Sequence, residues 1–294
     1  MLELRQVTHS YPSASRAALQ SIDLQLQAGE CLGLLGSNGA GKTTLLSLLS
    51  GVLALQQGEL RWEGQPRLGL VPQQLAFYAG LKVGENLELF ADLYRLRGTE
   101  RRQRLQQCID ICALQDKLTR RSEQLSGGEQ RRLNFAIGLL QPADLYLFDE
   151  ATVGVDAASR QHLRAAVEQL TSDGKAVIYT SHYLEEVERV AQRILLLHEG
   201  QVRLDLDKRQ LLGDDHGLLL EWPGVPPAGL DGLLAALHLT AEVLPQGLRI
   251  ASLNGQQLLA ISEFIAAQDG LPSLLRFGRP SLEQLYLRLN GGRL

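Results

Sequence analysis

The sequence predicts an α/β protein: a parallel sheet covered by helices, joined to an antiparallel β portion, a helical insertion and a small α+β unit at the C-terminal end. Three observations carry that expectation. Short, continuously apolar runs at 31–35, 145–148, 176–179 and 193–197 alternate with helical patterns, as strands buried on both faces do. The first run ends in a glycine-rich turn that leads into a helix starting near 41–44. After about residue 205 the pattern becomes strand, helix, strand, strand, helix, strand, the order of a ferredoxin-like unit.

Before the first apolar strand, Leu2 and Leu4, then Ile22, Leu24 and Leu26, alternate with polar residues on either side of a polar turn at 10–16. They read as antiparallel strands. Between about 85 and 140 only helical spacing is found, with Leu87, Leu89, Phe90, Leu93 and Leu96 in register. The C-terminal unit reads as a strand at 216–222, a Pro/Gly-rich break at 223–229, a helix at 230–237, strands at 241–244 and 248–253, a helix at 256–267, a strand near 273–277 and a last helix at 280–289. The expected division is therefore 1–205, with its insertion at about 85–140, and an accessory unit at 206–294.

The chain of 294 residues is 45% apolar and 21% charged, enough for a sizeable core without disulfides or metals. A formal net charge of -4 argues against a protein whose main task is to hold nucleic acid. The basic residues around 95–104, with Arg120 and Arg121, read as a solvated helical face. Cys108 and Cys112 lie one helical turn apart with no matching cluster nearby. They and Cys31 read as small buried apolar residues, which suits a reducing compartment. The first residues lack a basic segment followed by an apolar core, so no signal peptide is expected. No run of about eighteen apolar residues occurs, so work at a membrane is expected to go through a partner.

Three stretches carry chemistry. Gly36, Ser37, Asn38, Gly39, Ala40, Gly41, Lys42 and Thr43, followed by Thr44, fit the phosphate-loop pattern between an apolar strand and a helix. The glycines let backbone N–H groups converge on phosphates, and the helix N-terminus adds partial positive charge. Lys42 is expected on the β- and γ-phosphates of ATP, and the Thr43 hydroxyl on Mg2+. Asp149 and Glu150 end the apolar strand at 145–148. Alone, such a pair could equally be a solvated strand end. Beside a phosphate loop, Asp149 is expected at the metal and Glu150 at the attacking water. The third stretch is Leu125, Ser126, Gly127, Gly128, Glu129 and Gln130. Ser126 with Glu129 matches a capping box, and the glycines allow close approach to an anion at a second helix N-terminus.

This third stretch resembles the signature motif of ABC ATPases, and the resemblance covers residues 1 to about 205. It implies a P-loop NTPase fold and ATP sandwiched in a homodimer, with Ser126, Gly127, Gly128 and Gln130 serving the partner's nucleotide. Further matches follow in the family's order. Gln73, after Val71 and Pro72, resembles the glutamine loop that touches Mg2+ and water. His182, after Thr180 and Ser181, resembles the switch histidine on the γ-phosphate. Asp156, in the stretch 154–156, resembles the D-loop at the dimer seam. Tyr11 stands where the family places a ring on adenine. Each taken singly could be an ordinary loop, turn or structural residue. Two departures are Ser37 and Ala151, where the family usually has Pro; neither supplies a side chain to the chemistry.

The segment 81–96 and the ending 279–286 are similar to the ABC-2 group of daunorubicin-resistance-type exporter ATPases. That narrower resemblance implies a chain on the cytoplasmic face of the membrane, paired with an integral membrane permease subunit, and no nucleic-acid partner. The alternative is a soluble ABC ATPase acting on ribosomes or nucleic acid. Such proteins usually carry two cassettes, long insertions or basic tails, and this sequence has one cassette and none of those. A non-hydrolysing regulatory subunit is disfavoured because Glu150 and His182 are both present.

Overall fold

The computed structural model describes residues 1–12, 15–152, 154–181, 183–212, 216–224, 226–244, 246–268, 271–278 and 282. The chain divides into two compact units, Met1–Lys208 and Arg209–Leu294.

In chain order the first unit runs β1 (Leu2–His9), β2 (Leu19–Leu26), β3 (Cys31–Leu35), α1 (Lys42–Leu49), β4 (Gln57–Trp62), β5 (Leu68–Val71), α2 (Val83–Leu93), α3 (Gly98–Ile111), α4 (Gly127–Leu140), β6 (Leu145–Asp149), α5 (Ala157–Ser172), β7 (Ala176–Thr180), α6 (Leu184–Val190), β8 (Arg193–His198) and β9 (Gln201–Asp207). Helix α7 (Lys208–Leu212) follows.

Strands β2, β1 and β4 make an antiparallel sheet in that order. The alternation at residues 2–26 foretells two of them. The third, β4, adds a mostly exposed strand whose Leu60 and Trp62 pack on the core. The main sheet has the order β5-β6-β7-β3-β8-β9, parallel except for β9. Strands β3, β6 and β7 are buried at every position, which is why they read as unbroken apolar runs. Because five strands run the same way, the loops that follow β3, β5, β6 and β7 all emerge at one edge of the sheet.

The insertion holds α2, α3 and α4 with two single-turn 3-10 segments. Helix α4 lies on the main sheet. A Cβ at Gly138 would meet Val71 Cγ2 at 2.2 Å, so only glycine admits this approach to β5. Phe135 of α4 stacks on Phe148 of β6 with centroids 4.8 Å apart. Both rings are fully buried, each worth about 1.5–3 kcal/mol of transfer free energy. Arg95, Arg97, Arg102, Arg120 and Arg121 are exposed, as expected of a solvated face, while Arg101 and Arg104 are half-buried. Arg101 pairs with Glu88 and Asp92. Arg104 turns inward, and its guanidinium donates to the last carbonyls of α4 at Leu140 and Gln141 (3.3 and 3.1 Å) and to the Tyr146 hydroxyl (3.1 Å). Cys31, Cys108 and Cys112 are all buried thiols, and burial pushes each thiol's pKa up.

The second unit contains β10 (Gly217–Glu221), α8 (Leu230–Ala236), β11 (Ala241–Leu244), β12 (Gly247–Ile250), α9 (Gly255–Ala266) and β13 (Leu274–Gly278). Its sheet, in the order β11-β12-β10-β13, is antiparallel throughout, as in a ferredoxin-like unit. Leu218, Leu220 and Trp222 face Leu230, Leu234, Ile261 and Ile265 in its core. The strand expected at 248–253 stops at Ile250, and Asn254 and Gln257 then close a capping box that starts α9. The helix expected at 280–289 and the ending 279–286 lie outside the described residues, Leu282 excepted. Among the described residues no helix is long and apolar enough to cross a membrane.

Candidate functional site

A cleft of about 620 Å³ opens at the edge of the first unit where β3 and β6 end. It is lined by Tyr11, residues 16–18, residues 38–44, Gln73, Glu150 and Glu199.

The loop after β3 is shaped by its glycines. Gly41 caps α1 at φ 109°, and a Cβ there would stand 2.5 Å from the Ala18 carbonyl oxygen. The Lys42 side chain is folded back over the loop. Its Nζ donates to the Gly36 carbonyl at 2.8 Å and to the Ser37 carbonyl at 3.2 Å. Burial holds its pKa below the usual lysine value, opposed by the nearby charges of Glu150 and Asp149. Ser37, standing where proline is usual, also accepts from the Ala40 amide at 3.1 Å. Thr43 and Thr44 start α1 in the cleft, and the Tyr11 hydroxyl lies 3.3 Å from Thr44 Oγ1. The Tyr11 and His9 rings meet at a steep angle, with centroids 5.1 Å apart, and Tyr11 is 41% exposed.

Asp149 and Glu150 are both buried at the end of β6. Thr180 at the end of β7 ties them: its hydroxyl donates to Asp149 Oδ1 at 3.1 Å and accepts from the Glu150 amide at 2.9 Å. Glu150 holds a left-handed φ of 50°, uncommon for a residue other than Gly, Asn or Asp. Gln73 reaches it from the loop after β5, donating from Nε2 to Glu150 Oε2 at 2.6 Å. Lys42, Thr43, Gln73 and Glu150 therefore share one cleft, with Asp149 immediately beneath.

Helix α4 starts with the capping box foreseen at Ser126 and Glu129. The Glu129 carboxylate accepts from the Ser126 amide at 2.8 Å, and the Ser126 hydroxyl accepts from the Glu129 amide at 3.3 Å. Gln130 donates to the Ser122 carbonyl at 3.3 Å. Ser126, Gly127 and Gly128 do not line the cleft. Gly128 lies beside the stretch 154–156 instead, where a Cβ would come 3.2 Å from the Gly154 carbonyl oxygen. Asp156 caps α5, accepting from the Ser159 amide at 2.9 Å, and bonds from Ser159 hold its carboxyl below the usual range. His182 lies outside the described residues.

Three residues to which the motifs gave no role support this arrangement. Thr180 is one. Asn134, buried in α4, clasps the glutamine loop on both sides: its Oδ1 accepts from the Ala76 amide at 2.7 Å and its Nδ2 donates to the Pro72 carbonyl at 3.1 Å. Arg131, one turn earlier, donates to the carbonyl of Gln73 itself. A polar Asn inside the apolar second half of α4 was the only signal in the sequence.

The ABC transporter family profile matches residues 19–153. Over the whole chain the sequence is 32% identical to the linearmycin resistance ATP-binding protein LnrL of Bacillus subtilis (strain 168), spanning 99% of that protein. It is 30% identical to the Nod factor export ATP-binding protein I of Paraburkholderia xenovorans (strain LB400), over 99% of this chain and 97% of that one. Among solved structures, a dimeric ATP-binding cassette in a post-hydrolysis state with ADP and Pi superposes with a TM-score of 0.65 at 26% identity, covering 71% of this chain and 99% of that one. An ATP-binding subunit of an ABC transporter superposes at 0.66 with 23% identity, over 72% and 91% of the two chains, and shares the fold. With relatives matched over nearly the whole length of both chains, the chain belongs to the ABC transporter family as an ATP-binding subunit that hydrolyses ATP.

Proposed function

We propose that this chain is the motor of an exporter of the ABC-2 type, working as a homodimer on the cytoplasmic face of the membrane and driving a separate integral membrane permease. The observation that carries the reading is the position of the signature helix. Its capped N-terminus is suited to an anion, yet it stands outside the chain's own cleft. A second copy supplies a nucleotide for it, so ATP closes the dimer and hydrolysis releases it. The relatives named for linearmycin resistance and Nod factor export support the exporter type. Residues 1–205 form the ATPase domain in this reading, and 206–294 an accessory domain.

Within the cleft, the partly exposed Tyr11 ring is available to adenine. The amides of residues 36–44 and the Lys42 ammonium take the phosphates. Thr43, Gln73 and Asp149 would hold Mg2+; they are hard oxygen donors gathered at one place, which is what that ion requires. Bound there, Mg2+ would neutralise charge on the β- and γ-phosphates. Glu150 polarises the attacking water, oriented by its bonds to Gln73 and Thr180. His182 is assigned to the γ-phosphate from its sequence context, and Ser126, Gly127, Gly128, Gln130 and Asp156 to the seam with the partner.

Affinity purification of the chain from detergent-solubilised membranes tests the partner. Recovery of a polytopic membrane protein in stoichiometric amount is expected. Recovery with ribosomes or DNA instead would overturn the exporter reading.

A further inference from the structure

Behind the acidic pair, four parts of the first unit end on one carboxylate. Glu186, in the first turn of α6, is 5% exposed. Its Oε2 accepts from Thr152 Oγ1 at 2.6 Å, from Ser181 Oγ at 2.9 Å and from the Tyr179 hydroxyl at 3.1 Å. Its Oε1 faces the Arg160 guanidinium of α5 at 3.5 Å. Arg160 in turn lies over the Tyr183 ring, 4.9 Å from its centroid, and the Tyr183 amide donates to Ser181 Oγ at 3.0 Å.

A buried carboxylate is costly to desolvate, so such a group is weak evidence for a role in stability alone. Its geometry suits another task. Thr152 is two residues beyond Glu150, and Glu150 sits at a left-handed φ that neighbouring structure must maintain. Ser181 directly follows Thr180, whose hydroxyl holds the Glu150 amide. The loop after β6 and the end of β7 are thus pinned to each other twice, once by Thr180 and once through Glu186. We infer that Glu186 is a positioning residue for hydrolysis, a charged hub that fixes the segment carrying Glu150 against the end of β7. It touches neither nucleotide nor water itself. The inference rests on Glu150 being the group that polarises the water.

The test uses the full chain and measures steady-state ATPase rates, ATP affinity and thermal midpoint for Glu186→Ala, Glu186→Gln, Thr152→Val and Glu150→Gln. Glu186→Ala is expected to lower kcat by at least about tenfold while KM and ATP affinity stay within about threefold, the pattern of a misplaced reacting group rather than lost binding. Glu186→Gln keeps an acceptor for the three hydroxyls and is expected to recover kcat to within about threefold of wild type. Thr152→Val removes one donor at constant volume and serves if Glu186→Ala does not fold; a kcat loss without a KM change is again expected. The inference is overturned if folded Glu186→Ala and Thr152→Val keep kcat within about twofold of wild type, if their kcat falls only in proportion to ATP affinity or folded fraction, or if Glu186→Gln loses as much kcat as Glu186→Ala. Near-normal turnover by Glu150→Gln would instead sink the reading of the site on which it rests. An inactive Glu150→Gln beside a fully active Glu186→Ala sinks the positioning role alone.

Discussion

The amide of Gln73 donates to the carboxylate of Glu150 at 2.6 Å, across 77 residues of chain. The loop after β5 and the end of β6 are joined by this bond at the cleft, so the loop that leads to the helical insertion and the end of the acidic strand are tied together. Gln73→Ala removes a hydrogen bond to a buried carboxylate, and stability is expected to fall by about 1.5–3 kcal/mol, the range for bonds to charged groups. If Glu150 polarises the attacking water as proposed, turnover is expected to fall at least about tenfold, because the carboxylate loses an orienting partner. Steady-state ATPase assays with a denaturation curve on the same sample decide it; unaltered turnover would exclude the coupling.

Asn134 holds the same loop from α4 by two backbone bonds. Asn134→Ala strands the Ala76 amide and the Pro72 carbonyl, at a cost of about 1–3 kcal/mol. Urea unfolding should show that loss in the midpoint. The ATPase rate of the folded fraction should drop with it, because Gln73 is no longer anchored. A rate equal to wild type per folded molecule would show that the clasp is structural only.

Lys42 is buried against the carbonyls of Gly36 and Ser37 with its pKa depressed by desolvation. An ammonium kept dry in this way is poised for a multiply charged ligand. Lys42→Ala is expected to weaken ATP binding by about 1.5–3 kcal/mol, the range for hydrogen bonds to charged groups. Calorimetric titration measures it directly, and an unchanged affinity would contradict the phosphate-loop reading.

Glu129 supplies a pH signature for the signature helix. The Ser126 amide, then Lys117 and the Ser126 hydroxyl, hold its carboxyl below the ordinary value of 4.5. A folded pKa below the unfolded one means stabilisation present above pH 4.5 and lost as pH falls through the folded value. The wild type should exceed Glu129→Gln by about 0.3–1 kcal/mol at neutral pH, as for an acid in the first turn of a helix. That gap should close toward pH 3 in unfolding curves recorded across the range. A gap independent of pH would assign the effect to packing rather than charge.

The parts of this architecture that were legible in the sequence share a physical reason. Strands buried on both faces leave unbroken apolar runs, so β3, β6 and β7 could be read, and with them the edge where Lys42 and Asp149 stand. The capping box at Ser126 and Glu129 could be read because it is local, closing over three residues. Strand β4 escaped because most of its residues face solvent, and β5 because its four residues form too short a run. Arg104 was misplaced on a solvated face because nothing within its own helix shows that α4 ends beside it. The bonds from Gln73 to Glu150, from Asn134 to the glutamine loop and from Thr152 to Glu186 join residues 34 to 77 positions apart. No local pattern encodes such pairs; the sheet order creates them.

The central claim is that one copy's signature helix completes the other copy's ATP site, with Glu150 needed to reopen it. Light scattering on Glu150→Gln, with and without ATP, tests this most directly. A monomer that becomes a dimer with ATP, with hydrolysis at least about 100-fold below wild type, and that stays monomeric when Ser126 is also changed to Arg, is the expected result. A protein that remains monomeric with saturating ATP, or that turns ATP over at a near-normal rate, would contradict it.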